Sequence, residues 1–408
     1  MRVAFQWLTG IAVASTVLLS GASSALAQKK YSVGASDTEI RIGQTMPYSG
    51  PASALSTLGR LHTAYFEMIN EQGGINGRKI KFISLDDGFS PPKAVEQTRR
   101  LVEQEKVLLM FAPYGTATSA AVRKYLNSKK VPQLFVVAGG AMWGDYKNYP
   151  WTMGWMPRYE IESRIHADFI LKNRPNAKIA IIYQNDDFGK ELARGLREGL
   201  GDKAASMIVK EVSYEVTDAT VDSQVATLKE SGADVLLSYT FPRFSAQVIR
   251  RVYDIGWKPL LILNQTSLSV VNVLTPAGLE KSKGVYAAQY VKDPSDPAWA
   301  NDPHLAEFRA WMAKYYPSGD INDSSNLFGY ALVKTMVEVL RKAGDDLTHE
   351  NIMKSAAALD MEIGVLVPGI RIKTGPEDFY PVEQMHLMNF DGKSWHLTGE
   401  LVDGTRLK

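Results

Sequence analysis

The chain has 408 residues, 46 Lys plus Arg against 44 Asp plus Glu, and no cysteine. Balanced charge gives no electrostatic footprint for nucleic acid, and the lack of cysteine excludes thiol nucleophiles, thiolate-held zinc, iron–sulfur clusters and disulfides. A chain this long can bury a core that needs no disulfides even outside the cytoplasm, and its length predicts two domains.

Residues 1–27 read as a leader. Met1-Arg2 is a positive start, Ile11 to Leu19 is apolar and small, and Ala25-Leu26-Ala27 fits a small-x-small cleavage pattern with Gln28 as the mature start. No Cys follows to carry a lipid, and no later apolar run is long enough to span a bilayer. The expectation is a periplasmic protein, exported in free form and not lipid-anchored.

After the leader, strand and helix patterns alternate. Ile40 to Met46 reads as a strand broken by Pro47-Tyr48-Ser49-Gly50-Pro51, and Leu58, Leu61, Tyr65, Met68 and Ile69 recur at helical spacing. Ile80 to Leu85 is the next strand, ending at Asp86-Asp87-Gly88, and a helix follows through Ala94, Thr98 and Leu101. Leu108 to Phe111 is a buried strand. It turns sharply at Pro113 to Gly115 into a helix for which Thr116 or Thr118 is the expected hydroxyl cap. Unpaired N–H groups and the positive dipole end at that helix start suit a carboxylate. Val131 to Val137 closes this first run.

An aromatic, proline-bearing link, Tyr149 to Pro157, precedes a second run. It has a helix from Ile161 to Leu171 and strands at Lys178 to Tyr183, Ile208 to Tyr214, Val235 to Thr240, Leu260 to Asn264 and Gly284 to Tyr290. The last third reads as helices followed by a hairpin, Val382 to Phe390 with Trp395 to Leu397. The pattern predicts an α/β fold of two Rossmann-like lobes, each with a parallel sheet covered on both faces. Ligands of such sheets sit beyond the carboxyl ends of the strands. Those ends carry Tyr48, Asp87, Tyr114 to Thr116 and Ala138 to Gly140 in one lobe, and Asp187, Phe188, Phe241, Arg243 and Asn264 to Thr266 in the other.

Taken together, Ile42 to Gly50, Asn70 to Gly77, Ala112-Pro113 before Thr116, and Asp187-Phe188-Gly189 resemble the type I periplasmic solute-binding proteins of ABC importers, in the branched-chain amino acid (Leu/Ile/Val-binding-like) class. The resemblance implies two lobes joined by three hinge crossings, near Trp151, Ala287 and Pro376. Residues 28–151 and 287–376 would form the N-terminal lobe, and 152–286 and 377–408 the C-terminal lobe. It implies that Thr116 binds a ligand carboxylate with help from the Ala138 and Gly140 segment, and that Phe188 and Phe241 hold cleft aromatic positions. Gln265 falls where amino-acid binders of this class usually place an acid for the ligand ammonium. A buried ammonium without a counter-charge costs several kcal/mol or more. The cargo expected on that ground is an aromatic acid of the benzoate or phenylpropanoid type, stacked by Tyr48, Tyr114, Phe188 and Phe241, with Arg158 as a second anion contact.

The alternatives are a branched-chain or other amino acid or amide binder of the same importer class, and a ligand-sensing binding protein. No dinucleotide fingerprint, phosphate loop or nucleophile elbow occurs, and the six histidines are scattered without metal-ligand spacing. The chain is therefore expected to be a non-enzymatic monomer without cofactor or metal. Its expected partners are a small carboxylate and a membrane permease with its cytoplasmic ATPase.

Overall fold

The structure, a computed structural model, describes residues 29–407; the expected leader lies outside them. Five strands form the first sheet, in the order Lys79–Asp86, Glu39–Met46, Leu109–Phe111, Gln133–Val136 and Thr152–Gly154, every neighbouring pair parallel. Seven form the second, in the order Trp395–Asp403, Gln384–Phe390, Tyr286–Gln289, Leu260–Leu263, Val235–Tyr239, Ile179–Gln184 and Ile208–Tyr214. Only Gln384–Phe390, the first strand of the C-terminal hairpin, runs antiparallel to the others in this sheet. Central strands such as Leu109–Phe111 and Val235–Tyr239 are buried along their whole length. Helices cover both faces, so apolar runs replace alternation.

The chain changes sheet later than the sequence suggested. Thr152–Gly154 is the fifth strand of the first sheet, not the start of the second lobe. Tyr286–Gln289 pairs with Leu260–Leu263, so Ala287 still belongs to the second sheet. The crossings follow Gly154 and Gln289, and the last precedes Gln384. Three residues inside an aromatic link are too few to show a period, which hid the fifth strand.

The helix-rich last third returns to the first lobe. Its long helix, Ser324–Ala343, lies on Thr57–Glu71. At Gly329 a Cβ would sit 3.0 Å from Leu58 Cδ2, so glycine sets how closely the two approach. Strand Lys30–Tyr31 pairs with Asp346–Leu347. Beside it buried Arg78 donates to Asp345 Oδ1 at 2.6 Å and to the Tyr31 hydroxyl at 2.9 Å. No helix of the described residues is long and apolar enough to cross a membrane.

Trp155, fully buried just beyond the fifth strand, donates from Nε1 to Thr335 Oγ1 on the long helix at 3.1 Å. Thr335→Val keeps the shape and leaves that N–H without an acceptor. The expected loss is about 1–3 kcal/mol of unfolding free energy. It is read as a lower urea midpoint at unchanged slope; an unchanged midpoint would show that the bond contributes nothing.

Candidate functional site

The carboxyl ends of the two sheets face each other across a narrow cavity of about 50 Å³ that opens to solvent. The first lobe contributes Leu55 and Leu58, the strand-end residues Tyr114 and Val137, and Ser324, Ser325 and Phe328 at the start of the long helix. The second contributes Gln265 to Ser269 except Ser267, and the crossings contribute Met156, Gln289 and Tyr290. The walls are mostly apolar, with polar groups at a few points, the usual make-up of a small-molecule site.

Gln265 is the best-determined polar group. It is 7% exposed, in the turn after strand Leu260–Leu263. Its backbone N donates to Glu162 Oε1 at 2.6 Å, and its Nε2 donates to Glu162 Oε2 at 2.8 Å and to Pro157 O at 3.3 Å. In the structure the amide nitrogen is turned toward these oxygens. Oε1 is left buried without a hydrogen-bond partner. Gln289 is turned the opposite way. Its Oε1 accepts from Tyr290 N at 2.9 Å, which leaves its amide nitrogen as the free end.

Glu162 comes from helix Tyr159–Asn173 and is completely buried. Burial pushes its pKa up to about 8, against the opposing pull of the two Gln265 hydrogen bonds. His166, one turn on, has its Nε2 4.0 Å from Glu162 Oε1, and burial lowers its pKa to about 3. The expectation of a cleft with no acid near Gln265 therefore does not hold. The acid comes from another element, 103 positions earlier. A signal was present in the sequence: Tyr159, Glu162, Ser163 and His166 fall at i, i+3, i+4 and i+7, a polar stripe on a buried helix face.

The other expected site residues divide. Tyr114 lines the cavity. Phe188 and Phe241 instead build an aromatic seam between the lobes. Ring centroids run Tyr114 to Phe89 at 6.2 Å, Phe89 to Phe241 at 5.0 Å, Phe241 to Phe188 at 5.1 Å and Phe188 to Tyr159 at 5.2 Å. Thr116 shares a hydrogen bond of 3.2 Å with the Tyr159 hydroxyl and is not in the cavity lining. Neither threonine caps its helix. Gly115, at φ 96°, is the N-cap, and Thr118 Oγ1 turns back to the Tyr114 and Gly115 carbonyls. A Cβ at Gly115 would lie 2.5 Å from Phe89 Cε2, so the Phe89 ring lies close over the helix start that was expected to bind an anion.

Ala138 is buried beside Val137, and Gly140 faces Trp143 and Glu191. Tyr48 donates to Ser84 Oγ at 2.7 Å, away from the cavity. Arg158 pairs with Glu160 at 2.7 Å and Glu383 at 3.6 Å and stacks on Tyr380 at 4.6 Å, so it is committed elsewhere. Sequence reasoning missed Glu162, Phe89, Tyr290, Phe328 and the serines of the long helix, all of them outside the strand ends it searched.

Polar bonds also join the lobes. Asp323, the N-cap of the long helix, accepts from Ser325 N at 3.0 Å and, across the cleft, from Ser269 Oγ at 2.8 Å and Asn272 Nδ2 at 2.7 Å. Glu191 Oε1 accepts from Ala141 N at 2.9 Å.

A model of the periplasmic binding protein family matches residues 39–394. Leu/Ile/Val-binding protein homolog 8 of Brucella suis biovar 1 is 25% identical over 372 residues, covering 88% of this chain and 90% of that one. Among solved structures, a branched-chain amino acid ABC transporter from Thermus thermophilus with bound valine superposes at a TM-score of 0.80 with 14% identity, covering 90% of this chain and 96% of that one. A fatty acid ABC transporter substrate-binding protein from Thermomonospora curvata gives 0.76 with 20% identity, covering 93% and 96%. At these identities the superpositions show the two-lobed α/β fold.

Folded Glu162 holds its proton to about pH 8, whereas an unfolded glutamate loses it near 4.5. Between those values the folded state binds the extra proton, so this group's contribution to stability falls as pH rises, by at most about 1.4 kcal/mol per pH unit. Below the window it is level. Glu162→Gln removes the titration. The difference in unfolding free energy between the two proteins, from denaturant titrations at several pH values, is expected to slope across that window and to flatten on either side. A constant difference would show that Glu162 titrates normally.

Proposed function

The chain belongs to the periplasmic binding protein family, and from that premise we propose that it is the extracytoplasmic solute-binding subunit of an ABC importer, carrying a small amino acid or amide. The observation that supports this cargo is Gln265 Oε1, an acceptor buried without a partner in a residue that lines the cavity. An acceptor held that way is satisfied by an N–H of the ligand and opposes a carboxylate oxygen. The free amide nitrogen of Gln289 and the hydroxyls of Ser324 and Ser325 offer donors elsewhere in the same cavity. A solute with an amine or amide at one end and an acid at the other matches both sets.

This cargo replaces the aromatic acid that a bare glutamine suggested. That expectation rested on the lack of an acid, and Glu162 lies directly behind Gln265. The names of the curated relatives favour the amino-acid reading as well. The apolar wall of Leu55, Leu58, Met156, Leu268 and Phe328 would take the solute's side chain. Binding proceeds by lobe closure. A ligand that touches both lobes stabilises the closed form, and the closed form is what a membrane permease, driven by a cytoplasmic ATPase, would receive.

A thermal-shift screen of the purified exported chain tests the cargo. Neutral aliphatic amino acids, their carboxamides, benzoate and 4-hydroxybenzoate form the panel. At a hundredfold excess over Kd a ligand adds about 2.7 kcal/mol, which moves the midpoint by several degrees. The expected result is a shift with an amine- or amide-bearing solute. A shift with the aromatic carboxylates alone would overturn the reading.

A further inference from the structure

Resting on the reading of binding by lobe closure, we infer that Glu383 is a pH-sensitive release at the last crossing between the lobes: ionisation of its carboxyl loosens the closed arrangement. That crossing is short. Tyr380 still belongs to the first lobe. Its hydroxyl donates to Ala141 O at 2.5 Å, its ring leaves no room for a Cβ at Gly144, and its neighbour Phe379 packs on Tyr146 at 6.0 Å. Glu383 already belongs to the second lobe. Its carbonyl accepts from Gly404 N at 3.1 Å, and the hairpin strand starts at the next residue, Gln384. Only Pro381 and Val382 lie between the two. Opening of the lobes turns through this stretch, so it changes what surrounds the Glu383 side chain.

The carboxyl sits among more acid than base. Asp378, whose Oδ1 accepts from Tyr380 N at 3.1 Å, lies on the first-lobe side, and Asp403 ends the hairpin on the other. Burial, Asp378 and Asp403 all oppose a charge on Glu383, whereas Arg158 favours it. Arg158 is a divided partner. Its Nη2 is 3.6 Å from Glu383 Oε1, but its Nη1 donates to Glu160 at 2.7 Å and its guanidinium lies 4.6 Å over the Tyr380 ring. Asp403 has its own cation in Arg406, at 3.2 Å. Helix Asp187–Leu200 adds Glu191 near Tyr380, and Arg194 within 4.0 Å of Glu160. In this surrounding Glu383 keeps its proton to about pH 7, against 4.5 for an ordinary glutamate, with burial the largest cause. An arrangement that swings the carboxyl away from Asp378 and into water holds the proton less tightly. Between those two values the closed form therefore binds more protons than the open one. Closure weakens as pH rises through that window, by at most about tenfold per pH unit for one group, and is level above it.

The test reads the lobes directly. The chain has no cysteine, so spin labels at Lys124→Cys and Lys190→Cys, exposed positions on helices of opposite lobes, report lobe separation by pulsed electron resonance. The ratio of open to closed distances is followed from about pH 4.5 to pH 8 in the labelled chain and in the same chain with Glu383→Gln. Asp323 and Glu191, the other acids that join the lobes, are common to both proteins and cancel in the comparison. The ratio is expected to rise with pH by about threefold or more beyond any rise in the variant, and to level above about pH 7. Asp378→Asn keeps an acceptor for Tyr380 N and removes one opposing charge. It covers the case of a Glu383 variant that fails to fold, and is expected to move the midpoint of the rise to lower pH, which a merely structural change would not do. An equal rise with and without Glu383, or a midpoint that Asp378→Asn leaves in place, would overturn the inference. Lobes that move with a solute of the thermal-shift panel but not with pH overturn the inference and leave the closure reading standing. A single distance at every pH and with every solute of that panel overturns the closure reading itself.

Discussion

Two hydrogen bonds from one residue to one buried carboxyl tie the turn after strand Leu260–Leu263 to helix Tyr159–Asn173 behind the cavity. Gln265 is neutral, so by itself it would leave the cavity without preference between a donor and an acceptor. Glu162, completely buried, holds the Gln265 turn from behind. The arrangement also spares the protein an open charge at the cavity wall. A bare buried carboxylate costs several kcal/mol to desolvate, and burial here already favours its neutral form. Placed behind an amide, the acid meets the backbone N–H and the side-chain Nε2 of one residue.

The lobes close on a small number of directional bonds and one apolar seam. Asp323 gathers two donors from the opposite lobe while capping its own helix, and Glu191 takes the Ala141 N–H. Hydrogen bonds to a carboxylate are worth about 1.5–3 kcal/mol each, and opening replaces them with water. The seam from Phe89 through Phe241 to Phe188 adds apolar area without any polar group to satisfy. In the proposed closure mechanism these are the contacts that opening would exchange for water and a bound solute would help to keep.

The fold was legible because its signals are long. Strands such as Ile208–Tyr214 and helices such as Asp187–Leu200 carry enough residues to declare their period. Strand Thr152–Gly154 has only three, and it was read as a link. The site was legible in part. Listing strand ends found Tyr114 and Gln265, which do meet at the cavity. It found Thr116 for a wrong reason: a hydroxyl at a helix start suggests a cap, but Gly115 at positive φ takes that place. Glu162 was not found, because a contact between residues 103 positions apart has no local trace. Phe89 was not found because a left-handed residue in a turn, at φ 58°, carries no period.

The first strand of the described residues has a consequence for how the chain folds. Strand Lys30–Tyr31 has its partner at Asp346–Leu347, and the Ser32 hydroxyl accepts from the His349 backbone N–H 317 positions away. This strand therefore cannot take its place until almost the entire polypeptide is available. Contacts of such wide separation form slowly, because loop-closure entropy must be met before they are gained. The front of the described fold is thus among the last parts to lock, after the rear third of the polypeptide has come within reach.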